Sequence, residues 1–434
     1  MRNATLLLLA VHATRASQRI AGDGSHFIVR QANGQVYATG GNEFGQLGIN
    51  SSATQCYEPR VMLGVSNATD VAAGEYHSCI VDLGQAWCTG QGTSGQLGES
   101  NTNSPWLVPV PGMVAVVEVF AAIEASCARL TSGEIKCWGN YPAFDVGTRV
   151  VTHLALGRRH ACVLLAGDGK VYCQGNNLQG QLGIGAADYS SGLTAVVGLE
   201  DVVSVACGRA HTCAVTGSDG AVYCWGENTA RQVDNSMNME LYLPVRVLTA
   251  GAAWVSAGWH SSFAVMHNGT ALMLGKLDAI GPTTLRVLAY NVLELCAGED
   301  AACVRLRNGS VQCVGSNSLG QLGVGNGTES SLKLVAMLLP SFTRQPTTLA
   351  PTMVVVTAGP TKEEPFPMDL VVGSVLGVLL FVVAYCAVAT VVSSRLRIKQ
   401  PITGLDEPKT SHKRMREWLR GADTSSSVRV MSSA

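Results

Sequence analysis

Between residues 19 and 340, short apolar runs alternate with glycine-rich breaks, and the same order of runs returns seven times. An apolar run leads to a glycine. A Cys or Phe five residues on opens a second run, a tight turn follows, and a third run ends in glycine. The segment 202–226 shows the unit: Val202-Val203-Ser204-Val205-Ala206, Gly208, His211-Thr212-Cys213-Ala214-Val215, Asp219-Gly220, then Val222-Tyr223-Cys224-Trp225-Gly226. Runs of this length, rich in Val, Ile and Tyr and bounded by Gly and Asp-Gly, predict strands. Both faces of each run are apolar, which suits a sheet sandwiched between two neighbours rather than one with a wet face. The closing glycines Gly40, Gly90, Gly139, Gly175, Gly226, Gly275 and Gly315 lie 36 to 51 residues apart, the period of a propeller blade. The pattern predicts an all-β fold: a seven-bladed β-propeller over 17–340, followed by one transmembrane α-helix.

Two hydrophobic stretches do not join the repeat. Arg2, the apolar run Leu6 to Val11 and Thr14-Arg15-Ala16 predict a signal peptide over 1–16. Leu370 to Val392 carries no charge over 23 residues, enough for a helix to cross a bilayer; the membrane helix is assigned to 369–392. Arg395, Arg397 and Lys399 follow it while Glu363, Glu364 and Asp369 precede it, so the N-terminal part faces away from the cytoplasm. The Pro/Thr-rich stretch 341–368 predicts an extended stalk, and 393–434 a basic cytoplasmic tail. These assignments place the chain in the plasma membrane or an endomembrane as a single-pass type I protein, its propeller outside the cytoplasm.

Charge supports the division. From Ser17 to Asp369 there are 19 Lys/Arg against 27 Asp/Glu, and from Ser393 onward 9 against 4. The acidic propeller lacks the basic footprint that a nucleic acid requires, so no nucleic-acid partner is expected.

Four units continue from the closing glycine into G-x-x-x-x-G-Q-L-G, at Gly40–Gly48, Gly90–Gly98, Gly175–Gly183 and Gly315–Gly323. Gln-Leu stands where a phosphate loop has Lys-Ser or Lys-Thr, so these loops are read as structural. The GQLG loop, the H-[ST]-C strand and the V-Y-C-W-G strand resemble the repeat of the regulator of chromosome condensation family. The resemblance covers about residues 19–340 and implies a seven-bladed propeller. It also implies an alternative function, guanine nucleotide exchange on a small GTPase. The third, fifth and sixth units depart from it, with Asn140-Tyr141-Pro142, Arg231-Gln232-Val233-Asp234 and Leu277-Asp278-Ala279-Ile280 in place of the loop. The first unit begins at Arg19-Ile20-Ala21-Gly22 with no evident upstream strand. The run Leu332-Lys333-Leu334-Val335-Ala336-Met337 is therefore expected to complete the first blade and tie the ends together.

Of the 14 cysteines, Cys386 falls in the membrane span and ten recur as strand pairs 9 to 11 residues apart. The pairs are Cys79 with Cys88, Cys127 with Cys137, Cys162 with Cys173, Cys213 with Cys224, and Cys303 with Cys313. Where one member is missing so is the other: Phe27 and Ala38 replace the pair in the first unit, Phe263 and Met273 in the sixth. Coupled loss predicts disulfides and hence an oxidising compartment. In this form the propeller resembles the cysteine-bearing ectodomains of crinkly-type plant receptor kinases, without a kinase. No C-x2-C pair suggests a metal. Cys56, Cys207 and Cys296 have no evident partner.

His26, His77, His160, His211 and His260 recur at or beside one strand-entry position and are read as structural. No catalytic motif, cofactor or metal site is legible. The sequons at Asn50, Asn67, Asn268, Asn308 and Asn326 are glycosylation candidates. The expected role is a receptor-like or adhesion-like module that binds a lumenal or extracellular protein or glycan, not an enzyme.

Overall fold

The computed structural model describes residues 20–98, 101–140, 146, 149–277, 280–326 and 329–340. The segments predicted as leader, stalk, membrane helix and tail, with Cys386, lie outside them. Among the described residues no helix is long and apolar enough to cross a membrane.

The chain folds as a seven-bladed propeller of antiparallel sheets. Six blades have four strands in sequence order, spanning 20–61, 68–114, 151–195, 202–248, 252–289 and 292–336. The third blade shows three among the described residues, Val116–Ala121, Ala125–Leu130 and Ile135–Gly139.

The core lies between blades. Buried side chains form seven clusters, and each joins one blade to the next. Ile28, Val36 and Ala38 of the first blade meet Val71 and Ile80 of the second. Phe263 and Met273 of the sixth meet Leu295 and Val304 of the seventh. Strands buried on both faces explain the continuous apolar runs.

The ring closes differently from the sequence expectation. The strand Ser330–Ala336 pairs with Val311–Ser316 and completes the seventh blade, not the first. Ile20–Gly22 is the innermost strand of the first blade and pairs with His26–Arg30. Closure is by packing: Ile20, Phe27 and Val29 join Cys303, Cys313 and Leu322 in the seventh seam. Thr39 Oγ1 also donates to Gly320 O at 2.8 Å across it.

One register needs correction. Ile28, not Phe27, stands opposite Ala38 in the first blade, and Phe27 faces Thr39. The turn from Gly22 to His26 is one residue longer than that from Gly74 to His77, which displaced the count.

Around the axis, innermost strands crowd one another. A Cβ on Gly74 would lie 2.1 Å from Ala122 O, on Gly208 2.4 Å from Gly258 O, and on Gly298 2.4 Å from Gly24 O. The next blade's carbonyl occupies the space a side chain needs, so glycine is required there. Gly74→Ala should therefore destabilise the propeller by about 1–3 kcal/mol. Gly192→Ala, whose Cβ would meet nothing within 4 Å, should leave thermal unfolding unchanged. Equal melting temperatures for the two variants would refute the crowding.

Candidate functional site

The recurring histidines are pins between blades. His26 Nε2 lies 2.8 Å from Ser78 Oγ, His77 2.8 Å from Ser126, His160 2.9 Å from Thr212 and His211 2.9 Å from Ser262. Each hydroxyl belongs to the next blade and donates its own proton to a glutamine carbonyl: Gln46, Gln96, Gln181 and Gln232 respectively. With that proton committed, Nε2–H must donate to the hydroxyl oxygen. The imidazole is thus oriented away from base catalysis, because it cannot take the proton of the group it touches. The Nδ1 atoms of all four are buried without a partner.

His260 does not belong to this set. Ser261 holds the position opposite the closing glycine, and His260 lies one residue earlier, with Arg209 Nη1 3.4 Å from its Nε2.

The same glutamines organise the GQLG loops. Gln46 and Gln181 accept the backbone N–H groups of Phe44 and Gln179 on their side chains. Asn42 and Asn177 accept those of Leu47 and Leu182. The fifth blade keeps this loop despite its different sequence: Gln232 accepts Ala230 N–H and Asn228 accepts Val233 N–H. Arg231 there takes the left-handed φ of 60° where Gly180 has 81°.

The five cysteine pairs are disulfides, each joining second and third strands across Cα separations of 4.0–4.1 Å. Cys56, Cys207 and Cys296 are free. Cys296 stands opposite Cys303 in the sheet, and burial pushes its thiol up. Burial also pushes the Cys207 thiol up to about 12. His160, Cys162 and Cys207 place their ligand atoms within 4.8 Å of one another. Cys162 is bonded to Cys173, however, and offers no thiolate to a metal.

All five sequon asparagines are exposed. Asn268 and Asn308 sit at hairpin tips joining second and third strands, and Asn67 lies against the corresponding hairpin at Gly34. All three are thus at one end of the ring.

The other end carries the turns between first and second strands, with the loops between third and fourth strands against them. Gly41 N donates to Ser25 O, Glu227 N to Ala210 O and Ser316 N to Asp300 O. Here one residue per blade lies within the axial turn: Asp23, Glu75, Ile123, Arg158, Arg209, Trp259 and Glu299 in ring order. Trp259 reaches across the axis. Its Nε1 donates to Asp23 Oδ1 at 3.2 Å, and the guanidiniums of Arg158 and Arg209 each lie 5.6 Å from its ring centre. Three acids from blades seven, one and two face two arginines from blades four and five. Burial, with Glu75 and Glu299 beside it, lifts the Asp23 carboxyl to about 7 against the Trp259 hydrogen bond. Burial and Asp300 raise that of Glu299. Sequence reasoning missed this ring because its members lie about one repeat apart; reading the repeats in column at the turn residue two or three before each second strand would have found it.

The repeats match those of known proteins. The regulator of chromosome condensation (RCC1) repeat matches residues 33–81 and 168–215 in one form, and 151–181 and 202–232 in another. The human E3 ubiquitin-protein ligase HERC2 is 29% identical over 222 residues, 45% of this chain and 5% of the ligase. The Ultraviolet-B receptor UVR8 of Arabidopsis thaliana is 26% identical over 295 residues, 59% of this chain and 67% of the receptor. This chain therefore spans only a small part of the ligase. Yeast RCC1 (Prp20), solved bound to Kap60, superposes with a TM-score of 0.62 at 18% identity, over 71% of this chain and 84% of that one. That likeness shows the fold.

The pins make stability depend on pH. Burial lowers His26 to about 4 and His77, His160 and His211 to about 3. An unfolded histidine titrates near ~6.5. Below that the unfolded chain takes up protons the folded one refuses, so stability is full above about pH 6.5 and falls towards pH 4. The slope should approach about 1.4 kcal/mol per pH unit for each pinned histidine. Urea unfolding of wild type and His77→Gln across this range measures it, and the variant's slope should be shallower by one proton. Parallel slopes would show that His77 titrates normally in the folded ring.

Proposed function

We propose that this chain, which carries regulator of chromosome condensation repeats on a seven-bladed propeller, is a single-pass type I membrane protein. Its propeller faces the lumen or the cell exterior and binds a protein or glycan ligand there. The observation that carries the reading is the set of five disulfides, one in each of five blades, since such bonds persist in oxidising compartments. The sequence signals of a leader at 1–16, a span at 369–392 and a basic flank after it point the same way. Binding rather than catalysis is supported by the histidine pins, whose Nε2 atoms donate to the hydroxyls they touch.

A second reading is guanine nucleotide exchange on a small GTPase, with the propeller in the cytosol or nucleus. It draws on the repeat match and on the shared fold with yeast RCC1 (Prp20). Structural work on Prp20 concerns its binding to Gsp1p and histones.

Tags placed after Ala16 and at Ala434, stained on intact and permeabilised cells, separate the two. The expected result is access to the first tag alone on intact cells, or to neither if the membrane is internal. Gel mobility should shift with both glycosidase and reductant. A propeller that is cytosolic, unglycosylated and reduced would overturn the membrane reading and make nucleotide-release assays on small GTPases the next measurement.

A further inference from the structure

The axial end of the ring holds opposite charges on either side of one indole. Arg158 and Arg209 lie over Trp259, and among the described residues neither forms an ion pair. Across the ring, Asp23 has the indole N–H as its partner, with Glu75 and Glu299 near enough to raise its proton affinity. Glu299 in turn senses Arg209 and Arg158, so the two arcs face each other across a narrow axis. The surrounding loops extend the division. Glu43, Glu124 and Asp300 stand on the acidic side, and Arg159, Arg231 and Lys276 on the basic side. Glu227, Asp188 and Asp234 are exceptions within the basic arc; Glu227 accepts from Thr229 and Asp234 from Asn228.

We propose that this axial mouth is a binding site for a mixed-charge peptide segment, seated with a carboxylate against Arg158 and Arg209 and an ammonium or guanidinium against Asp23 and Glu299. A simple anion would leave the acidic arc unmatched, and a simple cation would leave the arginines so. A segment carrying both signs on neighbouring residues complements the two at once. The scale is that of adjacent residues, because both arcs contact the same indole. Trp259, 8% exposed, supplies a floor held at its Nε1 and flanked by guanidiniums. The hairpin-tip sequons Asn268 and Asn308 are at the opposite end of the ring, so glycans there would leave the mouth open. The inference rests on the reading of the propeller as a binding module, but not on which side of the membrane it faces.

The test uses the full chain in detergent micelles and three blocked peptides on beads: acetyl-Gly-Lys-Gly-Glu-Gly, its two-lysine analogue and its two-glutamate analogue. The mixed peptide should be retained at least tenfold over either single-sign peptide, with the preference lost at high salt. Arg158→Glu with Arg209→Glu should transfer retention to the two-lysine peptide, and Glu299→Arg with Asp23→Asn to the two-glutamate peptide. Two independent charge reversals keep the test valid if one variant does not fold, as read by thermal melting. Equal retention of the three peptides, or none above bare beads, overturns the proposal. So does a wild-type dimer that separates on either charge reversal, since a second copy would then fill the mouth. If topology mapping places the propeller in the cytosol while the peptide preference holds, the mouth stands and the receptor reading alone falls.

Discussion

The propeller depends on one hydrogen-bonded relay between blades. A buried imidazole donates to the hydroxyl of the next blade, and that hydroxyl donates to the carbonyl of the loop glutamine behind it. Three groups widely separated in sequence are thereby fixed by one serine or threonine. The relay closes only if the loop presents its carbonyl inward, which the G-Q-L-G geometry enforces through the glutamine side chain. The indole N–H groups of Trp138 and Trp225 add a second donor to two of the same carbonyls, Gln96 and Gln181. A buried carbonyl with two donors is fully satisfied, whereas each Nδ1 atom is left without one. The asymmetry marks where the fold tolerates cost: losing a pinned hydroxyl would orphan the imidazole N–H and, at Ser78 and Ser262, the loop carbonyl as well.

The disulfides act in the same layer. Cys79 Sγ lies 3.4 Å from Ser126 Oγ and Cys213 Sγ 3.3 Å from Ser262 Oγ. Each of these cystines therefore locks the second and third strands of a blade beside the atom that pins the next blade. The first and sixth blades fill the position with Ile28 and Ala38, or Phe263 and Met273. Apolar volume thus meets the packing demand alone, and the covalent bond adds restraint on the unfolded chain rather than a contact the ring could not otherwise make.

What was legible in the sequence was what repeats within a unit. Strand order, blade number and the cysteine pairing follow from residues 9 to 11 apart on strands that must be neighbours. Relations between units were less legible. The sequence led to a shared first blade because the segment before Phe27 is short. In the structure Ile20–Gly22 suffices as an inner strand, since its partners across the seam complete its burial. His260 lies beside the strand-entry position rather than at it, because Ser261 takes the place that four other blades give to a pinned histidine. Arg231-Gln232-Val233-Asp234 looked like a lost loop, yet the side-chain amide at Gln232 and the carboxamide of Asn228 rebuild it. The conformation is set by hydrogen bonds rather than by the glycine, and Arg231 accepts a left-handed φ at a cost of roughly 1–2 kcal/mol.

The axial ring shows why function and fold separate so cleanly here. The position within each axial turn is bounded by constrained residues: in five blades a glycine before it, pressed by the next blade's carbonyl, and in four blades a pinned histidine two or three residues after it. The residue itself bears none of these duties. Seven blades fill it with Asp23, Glu75, Ile123, Arg158, Arg209, Trp259 and Glu299, a range no packing requirement would produce. Placing like charges together around Asp23 raises its proton affinity and that of Glu299 and weakens the ring, and the two guanidiniums over Trp259 lack a direct ion pair to offset their desolvation. A fold seeking stability alone would interleave these charges around the axis. Their segregation into arcs maintains a field across the mouth, and a field of that kind stabilises nothing until a group of each sign enters it.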